Sequence, residues 1–425
     1  MQASTEPSPE IEPEAGQAAP QPPQPEQLAL PEAHLSLQKL LALPDWAHLQ
    51  VGTIAQPFVN PIGGLTHSAA WMQQTNLLGT LGTGLSKPQK EWQEIDHWTV
   101  DLQLSLLNGN PNYGAQIGAV YSPQSLFGPV GFWPTLAALS RHPGKDWWGI
   151  QVGILPFEPY FLTPPISGLY VSDLVASTPG IRIPSFPVSP ASGPGGVLTL
   201  RPTPTTTLLL GSFDLAAVGT VSNSLGVSSG IPPGPGWVHM AQLNFEPGWI
   251  NPSGGGPIQA CRRGSRLLRR STTCERPVEV QQQLPGGQIQ LAGYTGVGSI
   301  QGIYGQATVP ISLPWGLDHR AWVATTYGGS ANLNPNPTYI GGGLVSQGVL
   351  PGRPFDLMMI GVARAGFSPT LTPELSYEGA IELGYKFQIN PSFSLQPTWL
   401  WILRPGGSGK VPGIGSFGLE ITWGF

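Results

Sequence analysis

A strict alternation of residue types near the C-terminus is the feature that most restricts the fold. Across Tyr377–Ile389 the odd positions carry Tyr, Gly, Ile, Leu, Tyr, Phe and Ile, and the even positions carry Glu, Ala, Glu, Gly, Lys and Gln. A period of two places these sets on opposite faces of a β-strand. The pattern continues in Phe393–Trp401, after the Asn390-Pro391 turn, and in Phe417–Phe425. Lengths of about 9–13 residues suit tilted strands that cross a bilayer.

Similar segments occur earlier in the chain. His97–Leu106 and Trp148–Ile154 alternate in the same way. Shorter segments of this kind lie near 206–213, 238–245, 288–294, 303–309, 321–327 and 357–363. Clusters of Gly, Pro, Asn and Ser separate them and supply turns. The sequence therefore predicts many antiparallel strands and few helices.

The charge content indicates where such a sheet lies. Charged residues make up 10% of the 425 residues, against about 25% in a soluble domain. Since no apolar run approaches the roughly 18 residues of a membrane-spanning helix, we predict an all-β, transmembrane antiparallel β-barrel. The alternative is an antiparallel sandwich, but Glu378, Glu382 and Lys386 share one face, which favours a wet lumen.

The N-terminal region differs in composition from the rest of the chain. Residues 1–27 consist mainly of Pro, Glu, Gln and Ala and are expected to be a disordered tail. Residues 28–45 carry leucines near helical spacing, which predicts a short helical linker or plug, and 46–425 form the barrel domain. No basic and apolar signal segment follows Met1, so we expect a signal peptide to be missing from the sequence. Residues 1–32 contain six Glu and no Lys or Arg, and no basic face for nucleic acid is evident.

Loop lengths predict the orientation of the barrel. Bacterial barrels have short periplasmic turns and longer outer loops, which places Asn390-Pro391 in the periplasm and Gly366–Leu375 and Arg404–Gly415 outside. The last strand then ends in the periplasm with Trp423 and Phe425 on its apolar face. We expect these two aromatic residues to be the signal that the barrel-assembly machinery reads by strand pairing.

Residues 258–285 do not fit the strand pattern. They hold six arginines and the only two cysteines, Cys261 and Cys274. Three interpretations are open: an extracellular loop closed by a Cys261–Cys274 disulfide, a basic arm on anionic lipid heads, or a local reading-frame error. A plain solvated loop ranks first.

The C-terminal third resembles the carbohydrate-selective porin (OprB) family. The matching text is YIGGGLVSQGVLPGRPFDLMMIGVA at 339–363 and SYEGAIELGYKFQINPSFSLQPTWLWILRPGG at 376–407. Its most specific parts are Tyr377-Glu378, Gln396-Pro397 and the Arg404–Gly407 stretch, and weaker similarity runs through 140–250. The resemblance implies a single-chain barrel of about 16 strands. It also implies passive diffusion of sugars across the bacterial outer membrane.

A sugar pore needs lumenal groups that replace the hydrogen bonds of sugars to water. The candidates on polar faces are Asp101, Gln103, Arg364, Glu378, Glu382, Lys386, Gln388, Gln396 and Glu420. The alternative for each is a wall residue that only keeps the lumen wet. The sequence does not identify a loop that narrows the pore.

Enzyme chemistry finds little support. No GxSxG motif occurs, and Gly409-Lys410 is followed by Val411 instead of Ser or Thr. Glu378 and Glu382 lie about 13 Å apart along one strand, at about 3.3 Å per residue, beyond the separation that glycosidases use. There is no CxxC motif or Cys/His cluster, so neither a metal nor a cofactor is predicted.

Two alternative functions remain open. One is a barrel for inorganic ions or small nutrients, and the other is a structural barrel whose tail tethers the envelope. The expected partners are small sugars or other hydrophilic solutes, outer-membrane lipids and the assembly machinery. A monomer and a homo-trimer are both compatible with the sequence.

Overall fold

The computed structural model describes residues 26–30, 37–82, 98–126, 128–143, 147–162, 164–177, 183, 185–224, 230–251, 256–269, 274, 276–329 and 332–424. The described strands are β1 (Glu26–Leu28), β2 (Ala47–Ile62), β3 (Ala69–Gly82), β4 (Trp98–Gly109), β5 (Gly131–Arg141), β6 (Trp148–Leu155), β7 (Gly193–Thr203), β8 (Thr206–Asp214), β9 (Trp237–Phe245), β10 (Ile258–Arg263), β11 (Arg266–Arg269), β12 (Pro277–Val280), β13 (Gln288–Gly296), β14 (Ile300–Pro310), β15 (Asp318–Gly328), β16 (Thr338–Gln347), β17 (Leu357–Gly366), β18 (Tyr377–Asn390), β19 (Phe393–Leu403) and β20 (Ile414–Gly424). The described helices are α1 (Leu37–Leu40), α2 (Tyr113–Ile117), α3 (Asp173–Ala176) and α4 (Val218–Ser224).

Sixteen of these strands, β2–β9 and β13–β20, form a closed antiparallel barrel. Two pairings complete the closure: β9 with β13, where Leu243 lies opposite Leu291, and β20 with β2, where Trp423 lies opposite Thr53. Closure leaves no barrel strand with an unpaired edge, as a sheet in lipid requires. The predicted all-β barrel is confirmed.

Each barrel strand has an inner and an outer face. On β17, Met359 and Ala363 are buried toward the interior, whereas Ile360 and Val362 are 40% and 50% exposed on the outer surface. The alternation seen in the sequence therefore sorts side chains as predicted, with an apolar outer face suited to lipid. No helix of the described part of the chain is long and apolar enough to span a membrane.

The two mouths of the barrel receive different connections. The terminal mouth is the end where β2 begins and β20 ends, and the turn between β18 and β19 also lies there. The opposite end is called the loop mouth. The described residues of two long connections from the loop mouth fold back into the barrel: those of 110–130, called the first inward segment, and those of 156–192, called the second inward segment. Their apolar side chains, including Tyr113, Ile166 and Phe161, are buried in the barrel interior.

A small sheet covers part of the terminal mouth. Its strand order is β1-β12-β10-β11, and it is called the terminal sheet. Ala260 and Val278 of this sheet pack on Leu317 in the connection between β14 and β15. A disulfide joins Cys261 to Cys274, so this bond of the predicted loop is present.

The terminal sheet changes three expectations. The described residues of 258–285 lie at the same mouth as Asn390-Pro391. If that turn is periplasmic, as predicted, this segment is not the expected extracellular loop. The segment also contains regular strands, because β10 pairs with both β11 and β12. Glu26 and Gln27 were predicted to belong to the disordered tail, but they lie in β1, where pairing with β12 satisfies their backbone groups. Of the predicted helical linker 28–45, Leu37–Leu40 form α1, whereas Leu28 lies in β1.

Candidate functional site

Glu378 fixes the first inward segment to the barrel wall. Its carboxylate is fully buried on the inner face of β18. It accepts hydrogen bonds from the backbone N–H groups of Val120 at 2.9 Å and Tyr121 at 2.8 Å. A third comes from Gly406 N–H at 2.6 Å, in the turn after β19. A buried carboxylate is stable only with such donors, so Glu378 acts as an anchor for two connections of the loop mouth.

Glu382 holds the second inward segment in the same way. It is also fully buried, two inward-facing positions further along β18, after Ala380. It accepts hydrogen bonds from Val171 N–H at 2.7 Å, Ser172 N–H at 3.0 Å and the Ser172 hydroxyl at 2.5 Å. These donors lie just before α3, so the carboxylate fixes the start of that short helix.

Neighbouring strands add further contacts to this part of the segment. Gln396 on β19 donates through Nε2 to the Leu169 carbonyl at 2.9 Å. The Tyr170 hydroxyl donates to the Ile360 carbonyl at 2.8 Å and accepts from Trp322 Nε1 at 3.0 Å. Residues 169–172 are thus bound to the wall formed by β15 and β17–β19.

The second inward segment also reaches the opposite wall. Gln242 on β9 donates to the Tyr160 carbonyl at 3.2 Å, and Leu162 N–H donates to the Tyr304 hydroxyl at 3.2 Å. Tyr304 in turn donates to Gln242 Oε1 at 2.5 Å. The Tyr160 hydroxyl also donates to Gln151 on β6, which lies eight strands from β17 in the closed order of sixteen, whereas Tyr170 is bonded to β17. The segment therefore crosses the lumen and narrows it.

Asp101 forms a second polar cluster on the inner face of β4. It accepts hydrogen bonds from Thr80 Oγ1 at 3.1 Å and Gln151 Nε2 at 3.2 Å, and His142 Nε2 lies 3.4 Å away. A cavity of about 290 Å³ adjoins the cluster. Gln103 lies one inward step along the strand and donates to Ser105 Oγ at 3.3 Å. These two predicted positions do face the interior.

A vestibule opens at the terminal mouth. It has a volume of about 800 Å³, and its polar lining includes Gln50, Asn76, Gln281, Gln283, Lys386 and Gln388. Amide groups both donate and accept hydrogen bonds, which suits them to hydroxylated solutes. Lys386 makes no hydrogen bond or ion pair to the part of the chain that the structure describes, so its ammonium group is available to solute or water.

The remaining predicted residues fall in different places. Glu420 lies on the inner face of β20 and accepts from Gln56 Nε2 at 2.8 Å. Arg364 was predicted to line the lumen, but it lies on the outer face of β17 with Ile360 and Val362, and this part of the prediction is wrong. Its guanidinium stacks on the ring of Tyr377 at 4.4 Å, near the loop mouth. Because the guanidinium lies at the rim and stacks on an aromatic ring, its charge stays outside the hydrocarbon core of the membrane.

One segment that enters the barrel at the terminal mouth was not predicted from the sequence. Residues 281–287, called the cover segment, enter the barrel from the terminal mouth, and Leu284 packs in the interior apolar cluster. Gln283 N–H donates to Gln347 Oε1 at 2.8 Å, and Arg320 Nε donates to the Pro285 carbonyl at 2.8 Å. The sequence signal for this segment was Leu284, a single apolar residue after three glutamines, which a fully solvated loop would not require.

Trp423 is 50% exposed on the outer face of β20, while Phe425 lies outside the described residues. Among the described residues, no group of His, Cys, Asp and Glu is arranged to hold a metal ion.

Comparison with known proteins identifies relatives of the barrel. A family model described as "Carbohydrate-selective porin, OprB family" matches residues 173–425. The high-pH structure of Pseudomonas putida OprB is similar with a TM-score of 0.68 and 16% identity, covering 91% of this chain and 96% of that chain. The low-pH structure of the same protein gives 0.55 and 13%, with 91% and 95% covered. Comparison with curated proteins gave no match. At these identities the solved structures confirm the barrel fold.

Proposed function

Because this chain belongs to the OprB family of carbohydrate-selective porins, we propose that small sugars cross its lumen along the cavities at Asp101 and the vestibule. Membership rests on the family model, which matches more than half of the chain. The protein is accordingly a channel of the bacterial outer membrane through which carbohydrates diffuse passively, and it is not an enzyme. The predicted family, function and location are confirmed.

The proposed route rests on a difference between two sets of lumenal side chains: one set is bonded to the inward segments, and the other lines open space. Glu378, Glu382 and Gln396 are saturated by donors or acceptors of the inward segments, so we assign them to shaping the lumen. Lys386 and Gln388 line open space instead. Gln388 donates only to the nearby Asn390 carbonyl, at 2.7 Å, through its side chain.

We assign solute contact to Lys386 and Gln388, which border the vestibule. Asp101 is bonded by Thr80 and Gln151 but still borders the second cavity, so we include it. We also assign to the path Gln103 and Glu420, which lie on the inner faces of β4 and β20. Hydroxyl groups of a sugar can exchange water for amide and carboxylate partners there at little net cost. Several weak sites in series favour entry without trapping the solute. The solute gradient supplies the driving force, and no cofactor is needed.

Orientation and assembly follow from the same arrangement. We propose that the terminal mouth faces the periplasm and that the apolar outer face contacts outer-membrane lipids. Trp423 and Phe425 then serve as the assembly signal, recognised when the edge of the last strand pairs with the assembly machinery. The mass in detergent distinguishes a monomer of 45.0 kDa from a homo-trimer.

Swelling of liposomes that contain the refolded protein tests the transport proposal. Neutral sugars of graded size are compared with polyols of equal size and with small salts at matched osmolarity. We expect monosaccharides to enter faster than the matched polyols. Entry of salts without sugars would favour an ion or nutrient pore, for which the unpaired Lys386 is the supporting feature. No entry through inserted, folded protein would favour a structural barrel.

A further inference from the structure

We propose that the terminal mouth holds a binding site for the carboxylate or phosphate group of a small polyhydroxylated anion, centred on Arg320. A cavity of about 440 Å³ lies between the terminal sheet and the barrel rim. Its lining includes Arg269 from β11 and both Asp318 and Arg320 from the start of β15. The charged residues of this cavity do not line the vestibule or the Asp101 cavity, so it is a separate cavity.

The charges of this cavity are unbalanced. Arg320 Nη1 lies 2.6 Å from Asp318 Oδ1, and Arg269 Nη2 lies 3.2 Å from the same oxygen. The Asp318 carboxylate also accepts from Gln282 Nε2 at 3.2 Å and His319 N–H at 3.0 Å. Two guanidinium groups therefore share one saturated carboxylate, and the charged lining carries a net positive charge.

Arg320 has hydrogen-bonding capacity that the chain does not use. Its side chain is only 5% exposed. Nε donates to the Pro285 carbonyl at 2.8 Å, and Nη1 donates to Asp318 and to the His319 carbonyl. Nη2 makes no hydrogen bond to any described residue. Arg320 lines the cavity, so both N–H groups of Nη2 are available to a ligand there. An oxyanion at this position would accept charge-assisted hydrogen bonds from Nη2, while Nε and Nη1 stay bonded to the chain.

The neighbouring groups indicate the rest of the ligand. Gln282, Ser312 and Asn251 border the same cavity and carry amide or hydroxyl groups. Trp249 also borders it and is 71% exposed, so its ring can contact the apolar face of a sugar-like chain. An oxyanion with hydroxyl groups, such as a sugar acid or sugar phosphate, matches both the charge and the polar lining.

Isothermal titration calorimetry on the full-length protein in detergent tests this site. The probes are D-gluconate and D-glucose 6-phosphate, with D-glucose as the uncharged control, all at constant ionic strength. We expect both anions to bind and glucose to give at least about tenfold weaker binding, since one hydrogen bond to a charged group contributes that much. Arg320→Gln should weaken anion binding by a similar factor.

Matched variants separate the site from general charge effects. Arg266→Gln removes the same charge from the exposed tip of the β10–β11 hairpin, outside the cavity, and should leave anion binding unchanged. Arg269→Gln provides a second test if Arg320→Gln does not fold, because it also removes the positive charge surplus. Either folded cavity variant should lose binding.

Three results would overturn the proposal. The first is equal binding of glucose and gluconate. The second is unchanged anion binding in a folded cavity variant. The third is complete competition by chloride at equal concentration, which would indicate a simple halide site. The site does not depend on the sugar route: binding can fail while liposomes still swell with sugars, and binding can persist if swelling fails.

Discussion

Replacement of Glu382 by alanine tests the claim that the second inward segment is held across the lumen by a buried carboxylate. The substitution removes the acceptor of three hydrogen bonds and leaves the N–H groups of Val171 and Ser172 without their partner. Each orphaned buried donor costs about 1–3 kcal/mol. The segment should therefore lose about 2–6 kcal/mol of local stability, part of which is recovered because no carboxylate has to be buried.

Two measurements report this loss: hydrogen exchange reports the local stability of the segment, and single-channel conductance reports how far the segment narrows the lumen. A local cost of about 3 kcal/mol accelerates exchange of the Val171 and Ser172 amides by roughly 100-fold. Conductance should rise and fluctuate more, because the segment narrows the lumen less completely. Glu420→Ala is the matched control for the exchange measurement: it removes a lumenal carboxylate from a nearby strand, and its hydrogen bonds do not involve the second inward segment, so exchange at Val171 and Ser172 should stay native. Native exchange and native conductance in a folded Glu382→Ala protein would refute the anchoring role.

Further substitutions test other parts of the account. Replacing Cys261 and Cys274 with serine should destabilise the terminal sheet by about 3 kcal/mol, the usual effect of a disulfide that closes a short loop, and limited proteolysis near 270 should speed up. Val362→Arg places a charge on the lipid-facing side of β17 and should cost up to about 2–4 kcal/mol in urea unfolding from vesicles, whereas Ala363→Ser, on the inner face, should cost much less. Trp423→Ala should lower the yield of barrel assembled in cells but leave refolding into detergent almost unchanged; equal losses in both would argue for a purely structural role.

The strands could be predicted because their signal is local. The alternation in Tyr377–Asn390 survives in the structure, and Glu378, Glu382 and Lys386 share the inner face as expected. The error at Arg364 shows the limit of judging a residue by its charge. Ile360 and Val362 define the outer face four and two residues earlier, so strict alternation would have placed Arg364 outside.

The anchoring roles could not be predicted because their partners are distant in sequence. Glu382 and Val171 are 211 residues apart, and nothing in either neighbourhood encodes the pairing. The second inward segment nevertheless carried a usable signal. A solvated loop has little reason to contain Phe157, Phe161, Tyr170 and Leu174, and all four are buried.

The sugar route through the vestibule is tested most directly by a cysteine placed at Lys386. The described chain has no free cysteine, because Cys261 and Cys274 are paired, so a bulky thiol reagent will label the new residue selectively. Labelled Lys386→Cys protein in liposomes should lose most of its monosaccharide-driven swelling, while labelled Arg364→Cys protein, modified on the outer face, should swell like the native protein. Complete labelling at position 386 with undiminished sugar entry would contradict the proposed route.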